Sequence, residues 1–521
     1  MFSRSISDTE IEVLHLKYLR VDKQGANTIQ TWYPPIWRQT PEIIVRRTRP
    51  TLTAVSKKLD VTVDLENPRI SFESLHPDFA DRYGNETRWA NVIRLGDWGL
   101  KNHLATVFPS DFRVQAVPRF GLGGEFLIST NEGLVNFPRY KEIPHHWDLI
   151  EGKDAIELWL KRDNTACRLS ESGRSTQQII QTLGGFWGVK SLSHKSIIEL
   201  LNSMANNPIK RSMHHKEFEN KINNAIKEDI WRHKVVETLI ERKAVELGQE
   251  LKCPKCGGWG WYALDQLNTV MHCHLCLRPF DFPITKPTDS QHIKWAYRVI
   301  GPFALPKYAD GGYSAALAIR FFADVIGSPM DSKTTWSPGQ ELTFSDGKKV
   351  EADFLLWYQR KQMFGTDRPT QIVFGEAKSF GKDAFKEDDV QRMKLFAERY
   401  PGSVLVFATM KESSELSEDE IKRIRKLAVW GREYDKERQE TRAPVILLTG
   451  TELFTPYHLH QSWKEKGGKH TQLVEPAYVH LDNLKTLADC TQQLYLDMPS
   501  YGAWREEKWK KRKALREKRQ K

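Results

Sequence analysis

In the C-terminal half of this chain the apolar positions switch between two periods, and the switching predicts an order of elements. Val350 to Tyr358 and Gln371 to Lys378 are strand-length apolar runs. Ser403 to Ala408 and Val445 to Leu448 are almost wholly apolar, as strands buried on both faces are. Helical spacing predicts a helix over Tyr313 to Ile326, with Leu317, Phe321 and Val325 inward. It predicts another over Asp389 to Tyr400, with Val390, Met393, Ala397 and Tyr400 at helical spacing and Pro401-Gly402 as the stop. Ser417 and Glu420 form a capping box that opens a helix running to Val429.

Upstream the pattern changes twice. Residues 151–250 read as helical. Ser175-Thr-Gln-Gln178 is a capping-box sequence for a helix that ends at Leu183, before Gly184-Gly185. A second helix is expected from Ser193, with Ile197, Leu200, Leu201 and Met204 on one face, and a third from about Glu217 to Leu247. The first pair is compatible with a helix-turn-helix, and an ordinary helical hairpin is the more generic reading. Residues 1–150 read as β-rich, with Ile43-Ile44-Val45, Val61-Thr62-Val63 and Phe126-Leu127-Ile128 as short strands. Phe120-Gly-Leu-Gly-Gly-Glu125 lacks the third glycine and the following helix of a phosphate loop, so a glycine turn is expected.

A length of 521 residues implies three or four domains. With 40% apolar residues and 17 tryptophans the chain can fill real cores. No apolar run approaches the roughly 18–20 residues of a membrane span, and Met1 to Leu16 lacks an apolar signal core. A soluble, cytoplasmic protein without a membrane partner is expected. The formal charge of +11 suits a polyanionic partner. Residues 501–521 hold ten Lys/Arg against three Glu, a net of +7, which leaves +4 for the rest. This tail is expected to be a frayed helix or a disordered arm, with Lys510, Lys511, Arg512 and Lys513 as candidate phosphate contacts.

Of six cysteines, Cys167 and Cys490 stand alone and four form a C-x2-C-x16-C-x2-C cluster: Cys253, Cys256, Cys273 and Cys276. Two residues between cysteines let both sulfurs of a knuckle face one ion, and two knuckles complete a tetrahedron of thiolates. Redox pairs normally come singly, which disfavours a redox role. Gly257 and Gly258 suit the turn after the first knuckle. Trp259 to Leu264 and Thr269 to Cys273 can form the two strands of a ribbon, with Trp259, Trp261 and Tyr262 available for stacking or for covering a small core. His272 and His274 are spare ligands beside four thiolates. The segment resembles zinc ribbons, which implies a structural Zn2+.

Glu-x-Lys recurs along the chain, at Glu151/Lys153 and Glu420/Lys422 among others. Only Glu376/Lys378 ends an apolar β run and follows a strand that bears an acid, Asp353. In a strand, residues i and i+2 face one side, so Glu376 and Lys378 project together. Charges at the end of an apolar strand are costly to bury without a role. The order of helix, strands, helix, strand with these three residues resembles the PD-(D/E)XK, or restriction-like, nuclease superfamily over about residues 290–455. Ala352 stands where that family's motif has proline. The resemblance implies Asp353, Glu376 and the carbonyl of Ala377 as ligands of Mg2+ (or Mn2+), and Lys378 as the residue that positions or deprotonates the water and stabilises the developing charge. It also implies Gln391 as a supporting residue on the next helix, and an acid from the first helix, for which Asp324 and Glu341 are the candidates.

The expected architecture is multidomain α/β and α+β. It comprises a β-rich domain (1–150), a helical region (151–250), a zinc ribbon (251–285), a restriction-like nuclease (290–455) and a C-terminal extension with a basic tail (456–521). The expected function is a metal-dependent DNA endonuclease whose cleavage is gated by recognition or by other protein subunits, and a homo-oligomer is a further expected assembly. It resembles nuclease subunits of prokaryotic anti-phage defence systems. A non-catalytic DNA-binding scaffold and a nuclease of transposition or repair are the alternatives.

Overall fold

The computed structural model describes residues 156–157, 160 and 164–520, with breaks at 208–210, 227–228, 284–290, 327–331, 361–370, 437–439 and 476–480. N-terminal to these it describes the backbone of strands between Ile43 and Ile150, which include two of the expected runs in Ile43–Arg47 and Phe126–Thr130; Val61 ends one strand (Leu59–Val61), Val63 begins another (Val63–Asp64), and Thr62 between them lies outside the described residues. The glycine-rich stretch at 120–125 lies outside the described residues. The described chain is mixed α/β.

Its centre is a six-stranded sheet. In chain order the strands are β1 (Ala166–Leu169), β8 (Ser332–Thr343), β9 (Lys349–Arg360), β10 (Gln371–Lys378), β11 (Val404–Thr409) and β12 (Val445–Leu448), and they lie side by side in that order. Strands β2 to β7 form the smaller sheets described below. The pairs from β1 to β10 are antiparallel, and β10–β11 and β11–β12 are parallel. Parallel neighbours need crossovers, and helices supply them: Glu387–Arg399 between β10 and β11, and Glu418–Gly431 between β11 and β12. The Ser417–Glu420 capping box opens the second of these, as expected.

Both faces of the sheet are buried, which explains the near-continuous apolar runs of β11 and β12. Phe354, Leu356, Tyr358, Val404 and Val406 enter one core together with Ile179, Leu317 and Ala318. Leu355, Trp357, Phe374, Leu405 and Phe407 enter the other, against Met393, Phe396, Ile424 and Leu427 of the crossover helices.

The sheet reaches beyond residues 290–455. Strand β1 pairs with β8 across more than a hundred intervening residues, and helix α1 (Glu171–Thr182) packs on β8. Periodicity within a segment carries no information about so distant a partner. The cap of α1 is Ser170, whose Oγ accepts from Gly173 N at 3.0 Å, and Ser175 lies buried inside the helix. A Cβ on Gly173 would come 2.1 Å from the Gly339 carbonyl oxygen, so glycine lets this helix start seat on β8. The helix ends at the expected Leu183 and glycine pair. Helix α2 (Lys195–Ala205) follows a short helix and a 3-10 turn. Ile179, Ile180, Ile197 and Leu201 are all in the main core, so this pair is a packing unit.

The third expected helix is three elements: α3 (His215–Ala225), α4 (Asp229–Glu241) and strand β3 (Val245–Lys252). Lys243 turns left-handed (φ 56°), and from Val245 onward the apolar alternation is that of a strand. Strands β2 (Ser212–His214), β7 (Ile293–Val299), β3 and β4 (Trp259–Ala263) form a four-stranded antiparallel sheet in that order. Helix α5 (Gly312–Arg320) continues as a π turn over Phe321–Val325 and packs on the large sheet. Among the described residues no helix is long and apolar enough to cross a membrane.

Candidate functional site

Strands β9 and β10 pair with Phe354 opposite Gly375 and Leu355 opposite Phe374. One step further, the same antiparallel register sets Asp353 opposite Glu376. A Cβ on Gly375 would come 2.0 Å from the Phe354 ring, so glycine lets that ring lie across β10 on the face opposite the two acids. The Ala377 N–H donates to Asp353 Oδ2 at 2.6 Å, which ties the strands together at the site.

Glu376 is only 2% exposed. Lys378, two residues on and therefore on the same side, donates to Glu376 Oε1 at 2.8 Å. Arg392, from helix α6 (Glu387–Arg399), donates to both Glu376 oxygens at 3.0 and 2.9 Å. Asp389, one turn earlier, takes Arg392 at 2.7 Å and lies 3.5 Å from Lys378. Glu351 is two residues before Asp353, and its Oε1 accepts from Ser172 Oγ of α1 at 3.2 Å.

Burial, and then the charge of Glu376, push the Asp353 carboxyl well above the usual carboxylate range. Burial raises Glu376 as well, and Lys378 and Arg392 offset only part of the rise. Burial alone would lower Lys378, but the adjacent Glu376 outweighs it and holds the ammonium above its ordinary value. With every group charged, the carboxylates Asp353, Glu376, Asp389 and Glu351 face the cations Lys378 and Arg392, an excess of two negative charges. Carboxylate oxygens are the hard ligands a divalent cation takes, but those of Glu376 are paired with Lys378 and Arg392, and among the described residues the four cysteines, not these acids, are the group whose ligand atoms converge on one point.

Gln391 stands apart from this cluster. It is exposed, and its Nε2 donates to Glu387 Oε1 at 2.7 Å. The helix turns Asp389 and Arg392, two residues before and one after Gln391, toward β10 instead. Neither candidate acid joins the site. Asp324 lies 3.8 Å from the buried Arg320, whose guanidinium also holds the carbonyls of Thr455 and Pro456. Glu341 is exposed on β8, opposite Glu351. The residues missed from sequence are Glu351, Asp389 and Arg392. The i, i+2 relation of Glu351 to Asp353 was legible. The helical pair needed the orientation of α6.

The four cysteines converge. Cys253 Sγ is 3.8 Å from Cys276 Sγ, Cys256 Sγ is 3.7 Å from Cys273 Sγ, and all four sulfurs lie within 4.8 Å of one another. Zinc–sulfur bonds of about 2.3 Å in a tetrahedron give sulfur–sulfur edges of roughly 3.8 Å, so the set fits that ion. Both knuckles are built alike. Gly257 N donates to the Cys253 carbonyl at 2.8 Å and Leu277 N to the Cys273 carbonyl at 2.9 Å, with left-handed φ of 72° and 59° at Gly257 and Leu277. The N–H groups of Lys255 and Leu275 point at Cys253 and Cys273 Sγ, at 3.4 Å each.

The ribbon strands do not pair with each other as expected. Strand β4 pairs with β3, and β5 (Val270–His272) pairs with β6 (Pro279–Asp281). Tyr262 is buried in the small core with Met271 and Phe280, and Trp261 is buried too, which leaves Trp259 as the partly exposed ring of the three.

The basic tail is a helix, α7 (Tyr501–Gln520), rather than a disordered arm. Tyr501 N donates to Asp489 Oδ1 at 2.8 Å, and Lys508 pairs with Glu433, so its start is anchored. Lys510 and Lys511 pair with Glu506 and Glu507 one turn back, at 2.7 and 2.6 Å, and Lys513 lies over the Trp509 ring at 5.5 Å. Together with Arg512 these residues are exposed. Comparison with protein-family models, curated proteins and solved structures finds no match to this chain.

Proposed function

We propose that this chain is a divalent-cation-dependent DNA endonuclease with a restriction-like core, and that the four cysteines hold a structural Zn2+. The observation that carries the first part is the juxtaposition of Asp353 and Glu376 across β9 and β10, with the Lys378 ammonium 2.8 Å from Glu376. The antiparallel β8–β9–β10 meander, followed by helical crossovers to parallel β11 and β12, supports the same reading.

Asp353 and Glu376 are the residues that would hold Mg2+ or Mn2+, with the carbonyl of Ala377 implied by the family resemblance. When bound, the cation supplies charge neutralisation and Lewis acidity at a phosphodiester. The chain's own contribution is positional. Lys378, held protonated by Glu376, donates hydrogen bonds and stabilises negative charge that develops on phosphate oxygens. Asp389 fixes Lys378 and Arg392 against β10.

A binding-only scaffold is favoured by one observation: Glu376 is already neutralised by two internal cations. Incubation of the purified chain with plasmid, linear duplex, single-stranded DNA and RNA, with Mg2+, Mn2+ or EDTA, separates the readings. The endonuclease cuts DNA only with metal, whereas the scaffold binds with or without metal and never cuts.

A further inference from the structure

The four-stranded sheet beside the cysteine cluster has two unlike faces. Leu251, Tyr262, Ile293 and Tyr297 alternate into hydrophobic cores. On the other face, strand alternation and register gather Trp259 and Trp261 of β4, Lys252 of β3, and Lys294 and Arg298 of β7.

Here tryptophans and cations are interleaved by construction. A Cβ on Gly248 would come 2.5 Å from the Trp261 ring, so the glycine lets this indole lie flat on the sheet. Trp261 Nε1–H donates to the Ala296 carbonyl at 3.1 Å, which fixes the ring. The Arg298 guanidinium lies over Trp261 at 5.2 Å, and the Lys294 ammonium lies over Trp259 at 4.5 Å. Arg211, at the entry to β2, adds a positive charge that opposes that of Arg298, and its Nε is buried with no hydrogen-bond partner among the described residues. The acids on this face are fewer. Glu250 accepts from Ser212 Oγ at 2.6 Å, and Glu246 sits opposite Arg298. Four cations therefore face two acids.

We propose that this face binds single-stranded nucleic acid, with an unpaired base stacking on Trp259 and the backbone phosphates running past Lys252, Lys294 and Arg298. Phosphates suit the excess of positive charge, and an accessible indole on a cationic sheet suits a base freed from its partner. Residues i and i+2 on a strand are about 6.6–6.8 Å apart, so the Trp259 ring and the Arg298 guanidinium that lies over the buried Trp261 offer two successive contact points along an extended strand. A duplex keeps its base faces stacked inside and would meet only the charges. The proposal stands on these residues and does not depend on the proposed endonuclease activity.

The test is fluorescence anisotropy of the full chain with a labelled oligo(dT) of about 16 nucleotides and with a duplex of equal length. No divalent cation is added, so cleavage is not involved. Trp259→Ala lowers oligo(dT) affinity roughly tenfold, as loss of one stacking ring does, while Trp259→Phe retains most of it and duplex affinity hardly changes. Lys294→Ala flattens the slope of log affinity against log salt by about 0.7 on the single strand. Zinc content and circular dichroism report whether each variant is folded. If Trp259→Ala does not fold, Trp259→Phe and Lys294→Ala carry the test. Wild-type oligo(dT) binding and salt slope in the folded variants overturn the proposal, and so does an equal loss of duplex and single-strand affinity in Trp259→Ala.

Discussion

Replacing Asp353 by Asn isolates the electrostatics of the acidic pair. Asparagine keeps the volume and an oxygen that can accept the Ala377 N–H, so the change removes one negative charge facing Glu376 and Glu351. Two like charges about 5 Å apart, the distance of a cross-strand pair, repel by about 3 kcal/mol at an effective dielectric near 20. Attraction to Lys378 cancels part of that, which leaves a relief of about 1–3 kcal/mol. Burial and Glu376 raise the folded-state pKa of Asp353 above its unfolded value. The contribution of this carboxyl to stability is therefore fully present below the unfolded pKa of about 3.9 and is lost as pH rises through the folded pKa. Asp353→Asn should melt with the wild type near pH 4 and above it at pH 8, by roughly 2–10 °C for a unit of this size. Calorimetry in buffer without Mg2+ or Mn2+ measures both. Adding about ten times the dissociation constant of Mg2+ should then stabilise the wild type by about 1.4 kcal/mol and the variant far less. An Asn variant that is less stable than the wild type at pH 8, or that gains equally from Mg2+, refutes the reasoning.

Other outcomes follow from particular contacts. Gly375→Ala collides with the Phe354 ring, so it should cost about 1–3 kcal/mol as overpacking does and should also abolish cleavage; thermal melts and nuclease assays on the same preparation check both. Elemental analysis should find one zinc per chain, and Cys256→Ser or Cys273→Ser should lose it together with the melting transition of the small zinc-bearing core, because metal affinity there is folding free energy. Changing Lys510, Lys511, Arg512 and Lys513 together to Ala keeps the anchored start of α7. If all four reach phosphates, the salt slope on duplex DNA should flatten by about three to four units with the cleavage position unmoved; an unchanged slope would mean that the helix is a solvated appendage.

Four strands of the large sheet, β9 to β12, were legible because their side chains meet an apolar environment on both faces, whereas β1 and the twelve-residue β8 were not read from the sequence. Gln371 to Lys378 and Val445 to Leu448 coincide with β10 and β12 to the residue. The knuckles were legible because metal-ligand spacing is local. What stayed hidden depends on distant pairing. Strand β1 joins the sheet through β8, and Val245 to Lys252 is a strand because β7 lies beside it. Asp353, Glu376 and Lys378 come together as their strand positions required. Gln391 was misjudged because a helix seen as a sequence has no fixed rotation, and the observed rotation brings in Asp389 and Arg392. Trp261 and Tyr262 seemed available for stacking, but glycine at 248 and the small zinc-side core bury them.

The central claim is that Asp353, Glu376 and Lys378 form a phosphodiester-cleaving site. Its most direct test is cleavage of end-labelled and supercoiled DNA by the purified full-length chain in Mn2+, with Lys378→Ala purified in parallel. The account predicts metal-dependent cutting by the wild type and loss of nearly all of it in the variant, with binding to the same DNA retained. Cutting by Lys378→Ala at the wild-type rate, or binding without cutting by the wild type on every substrate and with either metal, would contradict it.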